Sequence, residues 1–147
     1  MYSNDKSKYR EFDHTADVGI IARGESLSAL FANLAFGMMS FITDLSGGSE
    51  SRSHLVEIEE ESLMELVINW LSEINYQLTV HRFLLLTIEK ISVQKKPGKI
   101  KLIASLRGDE STPHLSTFKT EIKAVTYHQF KCEMIGIEYI AQVIFDI

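Results

Sequence analysis

An acidic cluster with one histidine lies near the start of the chain, at Asp13-His14-Thr15-Ala16-Asp17. Two carboxylates and an imidazole so close together could bind a divalent cation or transfer protons. On a straight strand, Asp13 and Asp17 would share a face but lie roughly 13 Å apart at about 3.3 Å per residue, and His14 would point to the other face. The cluster can therefore serve one ion only if the chain bends. A polar strand end with solvated aspartates is the alternative interpretation.

A second group of carboxylates is expected where the sequence stops on an apolar strand, Val-Ile-Phe-Asp-Ile at residues 143–147. There the Asp146 side chain and the Ile147 α-carboxylate stand on adjacent residues. Bringing carboxylates together costs Coulomb energy, which a hard cation with oxygen ligands would offset. The alternative is a frayed terminus with both charges in water.

A third candidate is Lys-Ala-Val-Thr-Tyr-His at residues 123–128. If this segment is a strand, Lys123, Val125 and Tyr127 share one face. Lys123 could then pair with carboxylates or contact a phosphate, with a solvated strand lysine as the alternative. His128 and Cys132 are too far apart on a strand to form a thiol dyad, because such a dyad needs hydrogen-bond reach.

The elements that must position these residues follow from the apolar spacing. Ser26 is a predicted N-cap for a helix from Leu27, and Ser62 with Glu65 forms a capping-box pattern before a second helix. The helix faces predicted to be buried are Leu27, Leu30, Phe31, Leu34, Met38, Phe41 and Ile42 in the first, and Leu63, Leu66, Val67, Trp70, Leu71, Ile74 and Leu78 in the second.

Strand patterns surround the two predicted helices. One opens the chain and ends at Gly24, one lies between the helices, and four follow the second helix, with loops expected at residues 43–53 and 107–117. The order predicts an α+β fold, a mainly antiparallel sheet with two amphipathic helices packed on it. We expect one domain over residues 1–147, with the polar residues 1–8 disordered.

Composition excludes several classes of function. The 147 residues carry 15 basic and 20 acidic side chains, a net charge of −5, so strong direct nucleic-acid binding is not expected. The single cysteine, Cys132, cannot form an internal disulfide. The start lacks a signal-peptide pattern and no apolar run is long enough for a membrane span, so a cytoplasmic protein without membrane contact is expected.

Three segments together resemble the archease family. Residues 9–19 resemble its opening strand with an Asp/Glu-His-Thr-Ala-Asp core, residues 123–128 its late Lys-Ala/Gly-Val/Ile-Thr-Tyr-His motif, and residues 143–147 its terminal Asp-Ile/Val ending. The two predicted helices also stand where family members carry theirs. The three motifs occur in the family's order and run nearly from one end of the chain to the other.

The resemblance implies a non-enzymatic accessory factor for the RtcB-type RNA-splicing ligase of tRNA maturation. Such a factor promotes guanylylation of the ligase's active-site histidine, so that the ligase turns over repeatedly; help to a tRNA methyltransferase is an alternative. The implied site holds a divalent cation, Ca²⁺ first, with Mg²⁺ or Mn²⁺ as alternatives. Its predicted ligands are Asp17, Asp146 and Ile147, Lys123 is the functional lysine, and Asp13 and His14 are supporting residues.

Two rival functions remain open on the sequence. One is a stand-alone metal-dependent hydrolase or phosphotransferase that uses Asp13, His14 and Asp17. The other is a chaperone-like binding module with a structural metal. The absence of a nucleophile matched to a base favours the accessory factor over the enzyme.

Overall fold

A computed structural model describes residues 1–14, 17–44 and 47–147, with only the backbone of His14. In these residues the chain forms seven strands and two α-helices: β1 (Tyr9–His14), β2 (Asp17–Gly24), α1 (Leu27–Ile42), β3 (Arg52–Glu60), α2 (Leu63–His81), β4 (Phe83–Lys96), β5 (Lys99–Glu110), β6 (Ala124–Ile135) and β7 (Glu138–Asp146). Two short 3-10 helices lie at Lys6–Lys8 and Thr112–Thr117. Among the described helices, none combines the length and apolar character that crossing a membrane requires.

The strands form two antiparallel sheets, which confirms the predicted α+β class. One has four strands in the order β1-β2-β7-β6, and the other has three in the order β3-β5-β4. Each helix contacts strands of both sheets. The sequence predicted one sheet, and the structure has two. The helices bury apolar surface against both sheets, so a single sheet would leave part of that surface uncovered.

Helix α1 shows this burial most clearly. Ser26 Oγ accepts a hydrogen bond from the Ala29 N–H at 3.0 Å, so the predicted N-cap is confirmed. All of the positions predicted to be buried are buried, and residues of the opposite face are buried too, among them Phe36 and Met39. A helix that is apolar on every side belongs inside a protein.

Helix α2 is amphipathic as predicted and is joined to α1 through its tryptophan. Ser62 Oγ accepts from the Glu65 N–H at 3.2 Å, which confirms the cap at its start. The fully buried Trp70 donates its indole N–H to the Phe31 carbonyl at 2.9 Å. This bond satisfies the one polar group of a large core side chain. The helix ends at Arg82, which adopts the left-handed conformation typical of a C-cap.

Several segments differ from the sequence expectation. The single strand predicted to open the chain forms two strands, β1 and β2. Within residues 1–8, Tyr2 exchanges two backbone hydrogen bonds with Ile88 of β4, at 2.8 and 2.9 Å, and its ring packs against the core. Tyr2, which belongs to the segment predicted to be disordered, therefore lies at the edge of a sheet. In the loop expected at 107–117, β5 continues to Glu110 and a 3-10 helix follows.

Candidate functional site

The acidic cluster lies at the end of a hairpin. Strands β1 and β2 pair antiparallel, with Asp13 opposite Val18 and the His14 backbone opposite Asp17. The straight-strand separation considered for Asp13 and Asp17 therefore does not apply. Thr15 and Ala16 lie outside the described residues, as does the side chain of His14.

Strand β7 brings a second carboxylate to the same place. The β2–β7 ladder pairs Gly19 with Ile144 and Val18 with Phe145, and continuing this register by one residue sets Asp17 opposite Asp146. Side chains at directly opposite positions share a face, with Cβ atoms about 4.5–5.5 Å apart. Asp17 is half-buried and Asp146 is exposed. Two carboxylates from the first and last parts of the sequence thus lie together at one edge of the sheet.

The packing of the two strands fixes this register. Ile20 and its partner Val143 are both fully buried, so a slip by one residue would turn these side chains out of the core to the other face of the sheet. On the other face, a Cβ added to Gly19 would lie only 2.4 Å from the Phe12 ring. Because Gly19 has no side chain, the Phe12 ring can lie over β2 at this position, on the same face as the fully buried Ile144. Both faces resist a shift of Asp17 relative to Asp146.

Lys123 lies at the same edge, on the residue before β6. Its backbone N–H donates to the Asp146 carbonyl at 2.8 Å, and the next residue, Ala124, is paired with Asp146. The Lys123 side chain is exposed and makes no ion pair with any residue that the structure describes. The Lys123 backbone is thus tied to Asp146, while its ammonium is not neutralised by a carboxylate of the described residues.

The predicted site residues are only partly assembled. The β2–β7 register, extended by one residue, brings Asp17 to Asp146, and the Lys123 backbone bonds to Asp146. Ile147 follows Asp146 in the chain. Asp13 pairs with Val18, one position along from Asp17, so its side chain lies on the opposite face of the hairpin from Asp17. Asp13 is not placed to share an ion bound on the face of Asp17 and Asp146. The prediction that it supports the site remains a prediction.

The carboxylates of Asp17 and Asp146 suit a hard cation, but these two side chains do not fill its coordination sphere. Carboxylate oxygens are the ligands that Ca²⁺ and Mg²⁺ take, and a divalent ion would offset the repulsion between Asp17 and Asp146. Within residues 1–14, 17–44 and 47–147, no three His, Cys, Asp or Glu side chains converge as a metal-binding group. A bound ion would need further oxygens; the predicted ligand Ile147 is 39% exposed, and water is the other candidate.

Strand β6 contains an irregularity that the sequence did not indicate. Its pairing with β7 shifts register between Thr126 and Lys131, so the expected alternation of Lys123, Val125 and Tyr127 does not extend through the motif. Gln129 adopts a left-handed conformation with φ of 50°, and its carbonyl accepts from the Gln142 side chain at 3.0 Å. Tyr127 lies within this irregular stretch and is exposed. Because no glycine or proline marks it, no local signal could have revealed it.

Comparisons with known proteins agree with these motifs. The model of the Archease protein family (MTH1598/TM1083) matches residues 9–147. Protein archease of Archaeoglobus fulgidus is 34% identical over 140 residues, covering 95% of this chain and 99% of that protein. Protein archease of Methanosarcina mazei is 32% identical over 140 residues, covering 95% and 96% of the two chains.

Solved structures give the same result. The solution structure of Methanobacterium thermoautotrophicum protein 1598 is 29% identical, with a TM-score of 0.78, and covers 95% of this chain and 99% of its own. The crystal structure of "an archease, possible chaperone" from Thermotoga maritima shares the fold, with a TM-score of 0.60 at 18% identity and coverage of 92% and 94%. The chain belongs to the archease family.

Proposed function

We propose that this protein is a metal-dependent accessory factor that promotes guanylylation of an RtcB-type RNA-splicing ligase and is not itself an enzyme. Family membership supports an accessory role. The observation that carries the proposal is the meeting of Asp17, Asp146 and Lys123, from three distant parts of the sequence, at one exposed edge of the four-stranded sheet.

The charges at this edge define what the site would present to a ligase. Asp17 and Asp146 would hold a divalent cation of the Ca²⁺ class, with the Ile147 α-carboxylate and water as further ligands. The ion would neutralise the carboxylates and present positive charge beside the Lys123 ammonium. Such a pair of cations suits a phosphate or an acidic side chain on the ligase surface.

The rival enzymatic function has weaker support. A hydrolase that uses Asp13 and Asp17 together needs both carboxylates near one bound substrate. The antiparallel register sets them on opposite faces of the β1–β2 hairpin. An arrangement that holds an ion and presents it to a partner requires only Asp17, Asp146 and the chain end.

The charge balance supports a role in which the ligase, and not this protein, holds the RNA. With a net charge of −5, direct affinity for tRNA should be weak and mostly non-specific. Titration of labelled tRNA at physiological salt checks this. A dissociation constant below about 1 μM without the ligase, in the range of specific nucleic-acid binding, would contradict it.

The decisive experiment is a guanylylation assay of an RtcB-type ligase with radiolabelled GTP, with and without this protein. We expect many turnovers only when the protein is present, and loss of stimulation in Asp146→Asn. Lys131→Ala is the matched control for changes at the site, because Lys131 is an exposed lysine farther along β6. Equal ligase turnover with and without the wild-type protein would overturn the proposal. Stimulation of a tRNA methyltransferase instead would favour the alternative partner.

A further inference from the structure

Lys123 lies outside the strand ladders, so other contacts must fix its position. Strand β6 begins only at Ala124, after a segment without regular structure at residues 119–123. The side chain that the proposed function requires is therefore carried by a connecting segment. Its orientation depends on the hydrogen bonds made by that segment.

One peptide unit carries the two bonds that matter. The peptide between Ile122 and Lys123 consists of the Ile122 carbonyl and the Lys123 N–H. The carbonyl accepts from the Asn75 side chain of α2 at 2.9 Å, and the N–H donates to the Asp146 carbonyl at 2.8 Å. Because a peptide is planar and rigid, bonds at both of its ends fix the direction in which the chain leaves towards the Lys123 Cα.

Burial restrains the residue before the lysine but not the lysine itself. The Ile122 side chain is buried, whereas Lys123 is exposed. Asn75 thus links helix α2 to Ile122, the residue before the lysine. The N–H at the other end of the same peptide donates to the carbonyl of Asp146, a predicted metal ligand, so the restraint extends to Asp146. Asn75 is half-buried and borders a cleft open to solvent, so water can reach the Ile122 carbonyl if the amide is removed.

We infer that Asn75 is a positioning residue for Lys123 and, through the shared peptide, for Asp146. This inference rests on the proposed function and extends it to a residue of α2 outside the predicted metal site. Asn75 acts by donating one hydrogen bond, so a side chain of the same shape that lacks the amide donor cannot replace it.

Asn75→Asp tests the inference, because it keeps the size of the side chain and loses the amide donor. Asn69→Ala is the matched control: Asn69 is also half-buried on α2 and donates one bond, to Glu60 at 2.9 Å. We expect Asn75→Asp to reduce ligase stimulation about tenfold, at an unchanged circular dichroism spectrum. Asn75→Gln, which keeps an amide donor, should restore part of it, and Asn69→Ala should stimulate like the wild type.

Full stimulation of the ligase by Asn75→Asp would overturn the inference.

Hydrogen exchange separates this inference from the proposed function, because it needs no ligase. The Lys123 amide, followed by NMR, should exchange about five- to tenfold faster in Asn75→Asp, the change expected for one lost hydrogen bond. In Asn69→Ala its rate should stay unchanged. An unchanged rate in Asn75→Asp would overturn the positioning role even if the ligase is stimulated. A faster rate without any stimulation by the wild type would leave the positioning intact and overturn the proposed function.

Discussion

Two acidic regions of the molecule hold their carboxylates in opposite ways. Asp109, near the end of β5, accepts from Ser51 Oγ at 3.0 Å and from the Glu110 N–H at 2.8 Å, and its other oxygen bonds His114 Nε2 at 2.9 Å. Its side chain is only 13% exposed. The hydrogen bond from His114, with those from Ser51 and the backbone, holds the pKa of Asp109 well below its usual range.

Asp146 has the opposite surroundings. It is exposed, and its carboxylate accepts no hydrogen bond from the residues that the structure describes. The β2–β7 register, extended by one residue, sets it across from Asp17. Where the protein supplies every donor, as at Asp109, the carboxylate joins segments of the fold. At Asp146 the described residues supply no donor, so its charge remains for an external cation to balance, as the proposed function requires.

The largest expected effect is the loss of metal-linked stability in Asp146→Asn. Calcium at about 100 times its dissociation constant should stabilise the wild type by about 2.7 kcal/mol. The variant should gain almost nothing from calcium. Without calcium it should melt at the same temperature or higher, since one repulsive charge is gone. Calorimetry with and without EDTA measures this, with Glu133→Gln on β6 as the control. A full calcium response in Asp146→Asn would show that Asp146 is not a ligand.

Asp109→Asn should instead lower the melting temperature whether or not calcium is present. The folded-state pKa of Asp109 is lowered, so the stability that it contributes is fully present above its ordinary pKa near 4 and is lost as the pH falls through the folded value. The difference from the wild type should therefore be largest near neutral pH and shrink in acid below about pH 4. Thermal melts from pH 7 to pH 3 measure it, and a difference that grows in acid would contradict the assigned sign.

A smaller effect is expected from extending the chain beyond Ile147. A short tag turns the predicted α-carboxylate ligand into a neutral peptide, which should weaken calcium binding about tenfold, or roughly 1.4 kcal/mol. The same tag placed before Met1 should have no effect on calcium binding. Isothermal titration calorimetry compares the two proteins. Equal affinities would remove Ile147 from the ligand set and leave Asp17 and Asp146 unaffected.

The smallest expected effect on stability belongs to Lys123→Ala. Lys123 is exposed and forms no ion pair within the described part of the chain, so unfolding free energy should change by no more than about 0.5 kcal/mol. Ligase stimulation should nevertheless be lost, which denaturant melts and the guanylylation assay measure together. A variant that melts well below the wild type would show that Lys123 is structural.

Local signals predicted most of the elements. The serines that cap α1 and α2 accept the expected backbone hydrogen bonds, because a cap depends on only three or four consecutive residues. The apolar spacing also placed Trp70 in the core correctly. The division into two sheets was not predictable in the same way. Periodicity tells which face of a strand is buried, but not which strand lies next to it.

The candidate site shows the same limit. The sequence identified Asp17, Asp146 and Lys123 as separate motifs, and the family resemblance predicted that the two aspartates belong together. It could not indicate that Asp13 and Asp17 lie on opposite faces, since that depends on the turn between β1 and β2. It gave no signal for Asn75 either, because its bond to the Ile122 carbonyl joins residues 47 positions apart.

The sequence by itself determined the residue types, the helix starts, the negative charge and the motifs of an archease. These depend on composition and on contacts within a few residues. Only the tertiary structure decided that β2 pairs with β7 in a register that leads to Asp17 and Asp146, and that the peptide before Lys123 is held from both sides. Strand register is fixed by burying side chains on particular faces, and that burial exists only once distant segments have packed together.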